Sequence, residues 1–122
     1  MRHKNLSIRF WGTRGSVPSP GRSKTRYGGN TSCVEVALPG SRLIILDAGT
    51  GIRELGNDLI RRTGKINATI LLSHYHWDHI QGLPFFAPAY HRAHTLTVCG
   101  CRHAQFPLET IFSSQMESIH FP

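Results

Sequence analysis

The chain has 122 residues, 39% hydrophobic and 17% charged, a balance that suits one small globular domain and excludes a disordered chain. No apolar run approaches the ~20 residues of a membrane span, and the opening MRHKNLSIRFWG has a charged head with no apolar stretch behind it. No secretory signal is therefore predicted, and a cytoplasmic location is expected. The net charge of +7 is lopsided: residues 1–65 carry twelve of the 14 Lys and Arg and four of the seven acids. That asymmetry favours an anionic partner, although charge alone suits a merely soluble basic surface equally well.

Leu6–Gly12 alternates as a strand does. Thr13–Ser32 is rich in Gly, Pro and Ser and reads as a long loop, a length often tied to function. CVEVAL and RLIILD read as two strands joined by the turn Pro39–Ser41, a hairpin. AGTGIRELGNDLIRRTG opens a helix with Ile52, Leu55, Leu59 and Ile60 at helical spacing and Gly64 as its C-cap. Asn67–Ser73 is a short apolar strand. DHIQGLPFFAPAY predicts a short helical turn and then a loop limited by Pro84 and Pro88. TLTVCG is another strand, and PLETIFSSQM a last helix with Leu108, Ile111 and Phe112 on one side. Strands alternating with helices, plus a hairpin, predict an α/β architecture with mixed strand directions.

The three cysteines are Cys33, Cys99 and Cys101, an odd number with no secretory signal, which argues against a disulfide framework. CGCRH admits a metal cluster of Cys99, Cys101 and His103. A strand carrying a buried free thiol is the better reading.

The stretch with most chemistry is SHYHWDHIQG, in which His74, His76, Asp78 and His79 fall within six residues. Two imidazoles two apart on extended chain share a side, with Cα atoms roughly 6.6 Å apart. They can converge on one ion through bonds of about 2.0–2.1 Å. Asp78 and His79 follow the strand's end and can hold a second ion. Imidazole suits Zn, Fe and Ni, and a carboxylate also accepts Mn. The competing reading is a set of surface histidines with no partner, which spacing and strand context disfavour. His3, His91, His94, His103 and His120 are scattered and read as solvated or packed.

HYHWDH resembles the H-x-H-x-D-H signature of the metallo-β-lactamase fold hydrolases. WGTRGSVPSPG, RYGGNTSCVEV and IILDAGTGIRELG look like the amino-terminal region of its phosphodiesterase branch, near ribonuclease Z and its cyclic-phosphodiester relatives. The resemblance implies an incomplete αββα sandwich, with residues 1–122 as one partial domain: a mixed β-sheet with flanking helices. It implies two divalent ions, zinc first with Mn or Fe as alternatives, the first on His74 and His76 and the second on Asp78 and His79. Asp78 is also given the catalytic role. Asp47 lies at the floor of the site and supports the ligands; a helix N-cap is the competing role, and both can hold.

The implied chemistry is hydrolysis by a hydroxide shared between ions about 3.5–4 Å apart. Arg14 and Asn30, in the Gly-rich loops, are the candidate substrate-orienting residues. The implied partner is an anionic phosphodiester, with a nucleotide or RNA as candidate forms, no membrane, and a homodimer of the parent protein. The same fold also acts on thioesters or lactams, and a metal-binding chain without turnover is the third reading. The family's further His, bridging Asp and last His have no counterpart after His79. The expectation is therefore the amino-terminal part of a longer enzyme, with loosely held metal, little turnover and a sticky, uncovered core face.

Overall fold

The structure, a computed structural model, describes residues 5–62 and 64–121. His3 lies outside the described residues, as does Thr63 beside the expected cap at Gly64. Five strands form one sheet in chain order: β1 (Ser7–Gly12), β2 (Cys33–Leu38), β3 (Arg42–Leu46), β4 (Asn67–Leu71) and β5 (Thr95–Cys99). β1, β2 and β3 pair antiparallel to one another in turn, and β4 and β5 continue parallel to β3. The switch follows from the connections. Pro39–Ser41 turns the chain tightly, with Gly40 and Ser41 both at positive φ. The link from β3 to β4 is instead helix α1 (Gly51–Arg62), and a crossover of that length returns the chain parallel.

α1 buries Ile52, Leu55 and Leu59 against the sheet. Ile60 departs from the predicted stripe and is 47% exposed. One residue past Leu59 is about 100° further round the helix, which carries it off the buried arc. The covered sheet face contributes Cys33, Ala37, Ile45, Ala68 and Ile70, and Phe86 closes the core from the segment after β4. A single turn α2 (Trp77–Ile80) and 3-10 turns at Leu83–Phe85 and Ala87–Tyr90 follow β4. The final helix α3 (Leu108–Gln115) rests Leu108, Ile111 and Phe112 against the core, as its spacing predicts.

The opposite face is apolar and open. The register aligns Ile8 with Val36, Phe10 with Val34, Val34 with Leu46 and Leu46 with Leu71. Ile8 is 56% exposed, Phe10 67%, and Leu46 and Leu71 38% each. Cys99 pairs with Leu71 on this face and is exposed, so the expectation of a buried thiol there is corrected. The buried cysteine is Cys33, whose thiol is pushed well up by burial.

One buried charge braces the covered side. Glu35, 3% exposed, accepts from the Trp11 indole at 2.9 Å and pairs with Arg62 at 2.9 Å. Arg62 also reaches Asp58 at 2.8 Å. This ties β1, β2 and α1 together. Removing Glu35 would leave the Trp11 indole N–H without its acceptor and Arg62 with Asp58 alone, at a cost of about 1–3 kcal/mol. Among the described residues no helix is long and apolar enough to cross a membrane.

Candidate metal centre

Parallel strands β3 and β4 end on the same edge of the sheet, the edge where α/β sheets place their ligands. Leu46 is in register with Leu71, and the Asp47 N–H continues the ladder to the Leu71 carbonyl at 2.9 Å. Asp47 thus leaves β3 beside Ser73, two residues past the end of β4, which stops at Leu71 and not at Ser73 as the sequence predicts. Its φ of 62° turns the chain out of the sheet, a conformation that Asp tolerates better than most residues.

The Asp47 carboxylate is the hub. Oδ1 accepts from the Ser73 N–H and from the Ser73 hydroxyl, each at 2.8 Å. Oδ2 accepts from Ser32 Oγ at 3.1 Å and from His79 Nδ1 at 2.8 Å. Burial works to raise this carboxyl's pKa, but the bonds from Ser73 and His79 outweigh it and hold it below its ordinary value. The N-cap role is not where these bonds go. The helix entrance is held instead by Thr31, whose Oγ1 accepts from the Thr50 N–H at 2.8 Å.

These bonds decide which ring nitrogens face outward. An ionised carboxylate only accepts, so His79 Nδ1 carries its proton toward Asp47 and leaves Nε2 with a free lone pair. Ser73 has one hydroxyl proton, and Asp47 takes it. His74 Nδ1, 3.0 Å from Ser73 Oγ, must therefore donate, and its Nε2 is also left as a ligand atom. One carboxylate sets two tautomers, directly for His79 and through a hydroxyl for His74.

The ring of His74 lies 4.6 Å from that of His76 and 4.0 Å from that of His79, centroid to centroid. Asp78 enters from α2, and its Oδ2 accepts the Ser16 N–H at 2.9 Å. That bond, first among the causes, holds the Asp78 carboxyl below its ordinary value, helped by His79 and His74. Asp78 Oδ2 and His79 Nε2 stand 3.4 Å apart. Two donors sharing a tetrahedral ion at about 2.0–2.1 Å lie about 3.3 Å apart, so this pair has the spacing of one ligand edge. Among the described residues no three His, Cys, Asp or Glu side chains are placed to hold one ion. The donor set thus fits a divalent metal in its chemistry, its tautomers and one edge.

The chain belongs to the metallo-beta-lactamase superfamily. That superfamily's pattern matches residues 26–94, from just before the Gly-Gly-Asn-Thr loop through the histidine cluster to the residue before β5. No curated protein and no solved structure matches the chain. Membership points to a metal-dependent hydrolase, and the mixed sheet with its helices is consistent with a partial metallo-beta-lactamase fold. The match reaches the superfamily and not a branch within it.

Close backbone packing lets this superfamily member bring the cluster to the sheet edge. The Ala48 N–H meets the His79 carbonyl at 2.8 Å and the Gly82 N–H meets the Ala48 carbonyl at 2.9 Å. A Cβ on Gly49 would stand 2.3 Å from the Asp78 carbonyl oxygen, and one on Gly82 2.0 Å from that of Gly49. Only glycine permits that contact.

The two loop residues read as substrate-orienting are placed as follows. Arg14 Nε donates to the Val17 carbonyl at 2.7 Å, and Asn30 Oδ1 accepts from the Thr50 hydroxyl at 3.1 Å. Cys101 is exposed, with Sγ 3.8 Å from the Ser73 carbonyl, and the Tyr75 hydroxyl donates to the Cys101 carbonyl. Sequence reasoning missed Ser16, Ser32 and Ser73. Ser73 was marked only by adjacency to His74, and Ser16 by nothing local, since its partner is 62 residues away.

Proposed function

We propose that this superfamily member hydrolyses phosphodiesters with two divalent metal ions, zinc first, held at the edge where His74, His76, Asp78 and His79 meet. His74 and His76 hold one ion, and Asp78 and His79 the other. A bound divalent ion there supplies charge neutralisation for phosphoryl oxygens and activation of water. Asp47 and Ser73 take the Nδ1 protons, so that in the neutral rings both Nε2 lone pairs point outward. Asp78, fixed by the Ser16 N–H, stays ionised and acceptor-only.

The observation that carries the substrate class is the loop tied to that carboxylate. Thr13–Ser32 contains Arg14, Arg22, Lys24 and Arg26 and no acid. The Ser16 N–H anchors this loop directly on Asp78. Elsewhere in the basic half Arg53 pairs with Glu54, and Arg9, Arg61 and Arg62 gather round Asp58. The loop's four positive charges, with no acid among them, favour an anionic substrate at the cluster to which Ser16 ties it. The remaining nitrogens of Arg14 are suited to phosphoryl oxygens.

The test is turnover of bis(p-nitrophenyl) phosphate by the protein carrying these residues, with Zn or Mn supplied. The proposal expects activity that His76→Ala removes together with the metal, and substrate affinity that falls as salt rises. Turnover confined to thioesters or lactams, or affinity indifferent to salt, would replace the phosphodiester with the other substrate classes of the fold.

A further inference from the structure

The turn that leads into β5 is built around two histidines that the metal cluster does not use. The Ile66 N–H donates to His94 Nδ1 at 3.3 Å, and the Thr95 N–H donates to the Ile66 carbonyl at 2.9 Å. Ile66 belongs to the core and stands just before β4. Its two backbone groups are thus clasped by His94 and Thr95. An imidazole stands in for a carbonyl one step before the β4–β5 ladder begins at Asn67 and Thr95. His91 repeats the arrangement: its Nδ1 accepts the Ala93 N–H at 3.2 Å, and its carbonyl accepts the His94 N–H at 3.1 Å. The two rings are stacked, with 4.8 Å between centroids and 27° between planes.

A backbone N–H only donates, so both Nδ1 atoms are acceptors and both neutral rings carry their proton on Nε2. That is the opposite tautomer from His74 and His79, and it leaves neither ring a free lone pair for a metal. A second proton can go only to Nδ1. There it meets the N–H of Ile66 or Ala93, and an attraction becomes a repulsion. Burial, and then His91, hold the His94 ring's pKa below its ordinary value. The surrounding charges do not favour a cationic ring. Arg92 lies within the turn, Lys65 stands beside Ile66, and Tyr90 precedes His91; residues 79–108 contain no Asp or Glu. On α1, which packs against Ala87–Tyr90, Glu54 is paired with Arg53, and Asp58 with Arg61 and Arg62.

We propose that His91 and His94 form an acid-sensitive latch: neutral, they hold the turn into β5 on Ile66, and protonated, they release it. Release frees the start of β5, an outer strand of the sheet, and the end of the Ala87–Tyr90 turn. The direction follows from the sign. A ring whose folded pKa lies below its unfolded value, about 6.5, contributes its full stability above that value and loses it as pH falls through the lower folded value. The latch needs neither metal nor substrate, so it stands or falls apart from the phosphodiester reading.

Nuclear magnetic resonance of the chain without added metal is the test. At about pH 7.5, long-range proton–nitrogen spectra are expected to show both rings protonated on Nε2 alone. Down to about pH 5, the Ile66 and Ala93 amide resonances are expected to shift with a midpoint below about 6.5. Their exchange with solvent should rise about tenfold relative to that of the Ile70 amide, which lies inside the sheet. His91→Asn with His94→Asn puts a carboxamide oxygen in place of each Nδ1 and removes the titration. That variant, its fold checked by circular dichroism, is expected to keep both amides bonded in acid. If it does not fold, the ring and amide measurements on the unaltered chain still decide. Rings protonated on Nδ1 near pH 7.5, amides that do not respond down to pH 5, or a folded double variant that responds to acid as the parent does would each overturn the latch.

Discussion

Asp47 is the hydrogen-bonding hub of the histidine cluster. Its two oxygens order Ser73, Ser32 and His79, and through Ser73 the ring of His74. Asp47→Asn keeps the shape and tolerates the same positive φ, so it reports on the charge. At neutral pH the variant should lose about 1–3 kcal/mol, since one amide nitrogen faces donors that an oxygen used to accept. The sign with pH follows from a carboxyl held below its ordinary value, near 3.9. Such a group contributes its full stability above that value and loses it as pH falls through the lower folded value. Urea unfolding of both proteins at pH 7 and pH 3 should show the gap narrow in acid. A gap that is constant or widens would mean that the charge is not what matters.

At the scale of elements, the centre depends on how closely the turn after β3 approaches α2. Gly49→Ala places a methyl group against the Asp78 carbonyl, and backbone cannot move aside as a side chain can. The predicted cost is about 1–3 kcal/mol together with loss of the Ser16–Asp78 bond, read by thermal melting and by the Ser16 amide resonance. A variant with both unchanged would show that the contact is looser than described. The strands, α1, α3 and the histidine cluster were legible in the sequence because their signals are local: a period of two or 3.6, or ligands within six residues. What was not legible joins distant residues. Ser16 with Asp78, Asp47 with Ser73, and Glu35 with Trp11 and Arg62 have no periodic trace. Nor does a strand's alternation tell which of its faces is covered, and so Cys99 was misread.

Across the whole molecule the contrast is between two sheet faces. One lies under α1; the other presents Phe10, Val34, Leu46 and Leu71 in one register row, with Ile8 and Val36 in the next. Contiguous apolar surface of this kind binds other apolar surface. The 122-residue chain is predicted to enhance the fluorescence of 8-anilinonaphthalene-1-sulfonate and to associate as its concentration rises in sedimentation runs. Ile8→Lys with Phe10→Lys should reduce both. Each change should alter stability by no more than about 0.5 kcal/mol, as exposed positions allow. A monomer at all concentrations with no dye enhancement would mean that the face is closed in solution.

The central claim is that His74, His76, Asp78 and His79 form a metal centre whose ring orientations Asp47 sets. Long-range proton–nitrogen spectra of the histidine rings, recorded as zinc is added, test it most directly and do not depend on turnover. The account predicts that zinc shifts the Nε2 resonances of His74 and His79, while Nδ1 of His79 keeps its proton to Asp47. Zinc that leaves these rings unchanged and moves His91, His94 or His103 instead would contradict it.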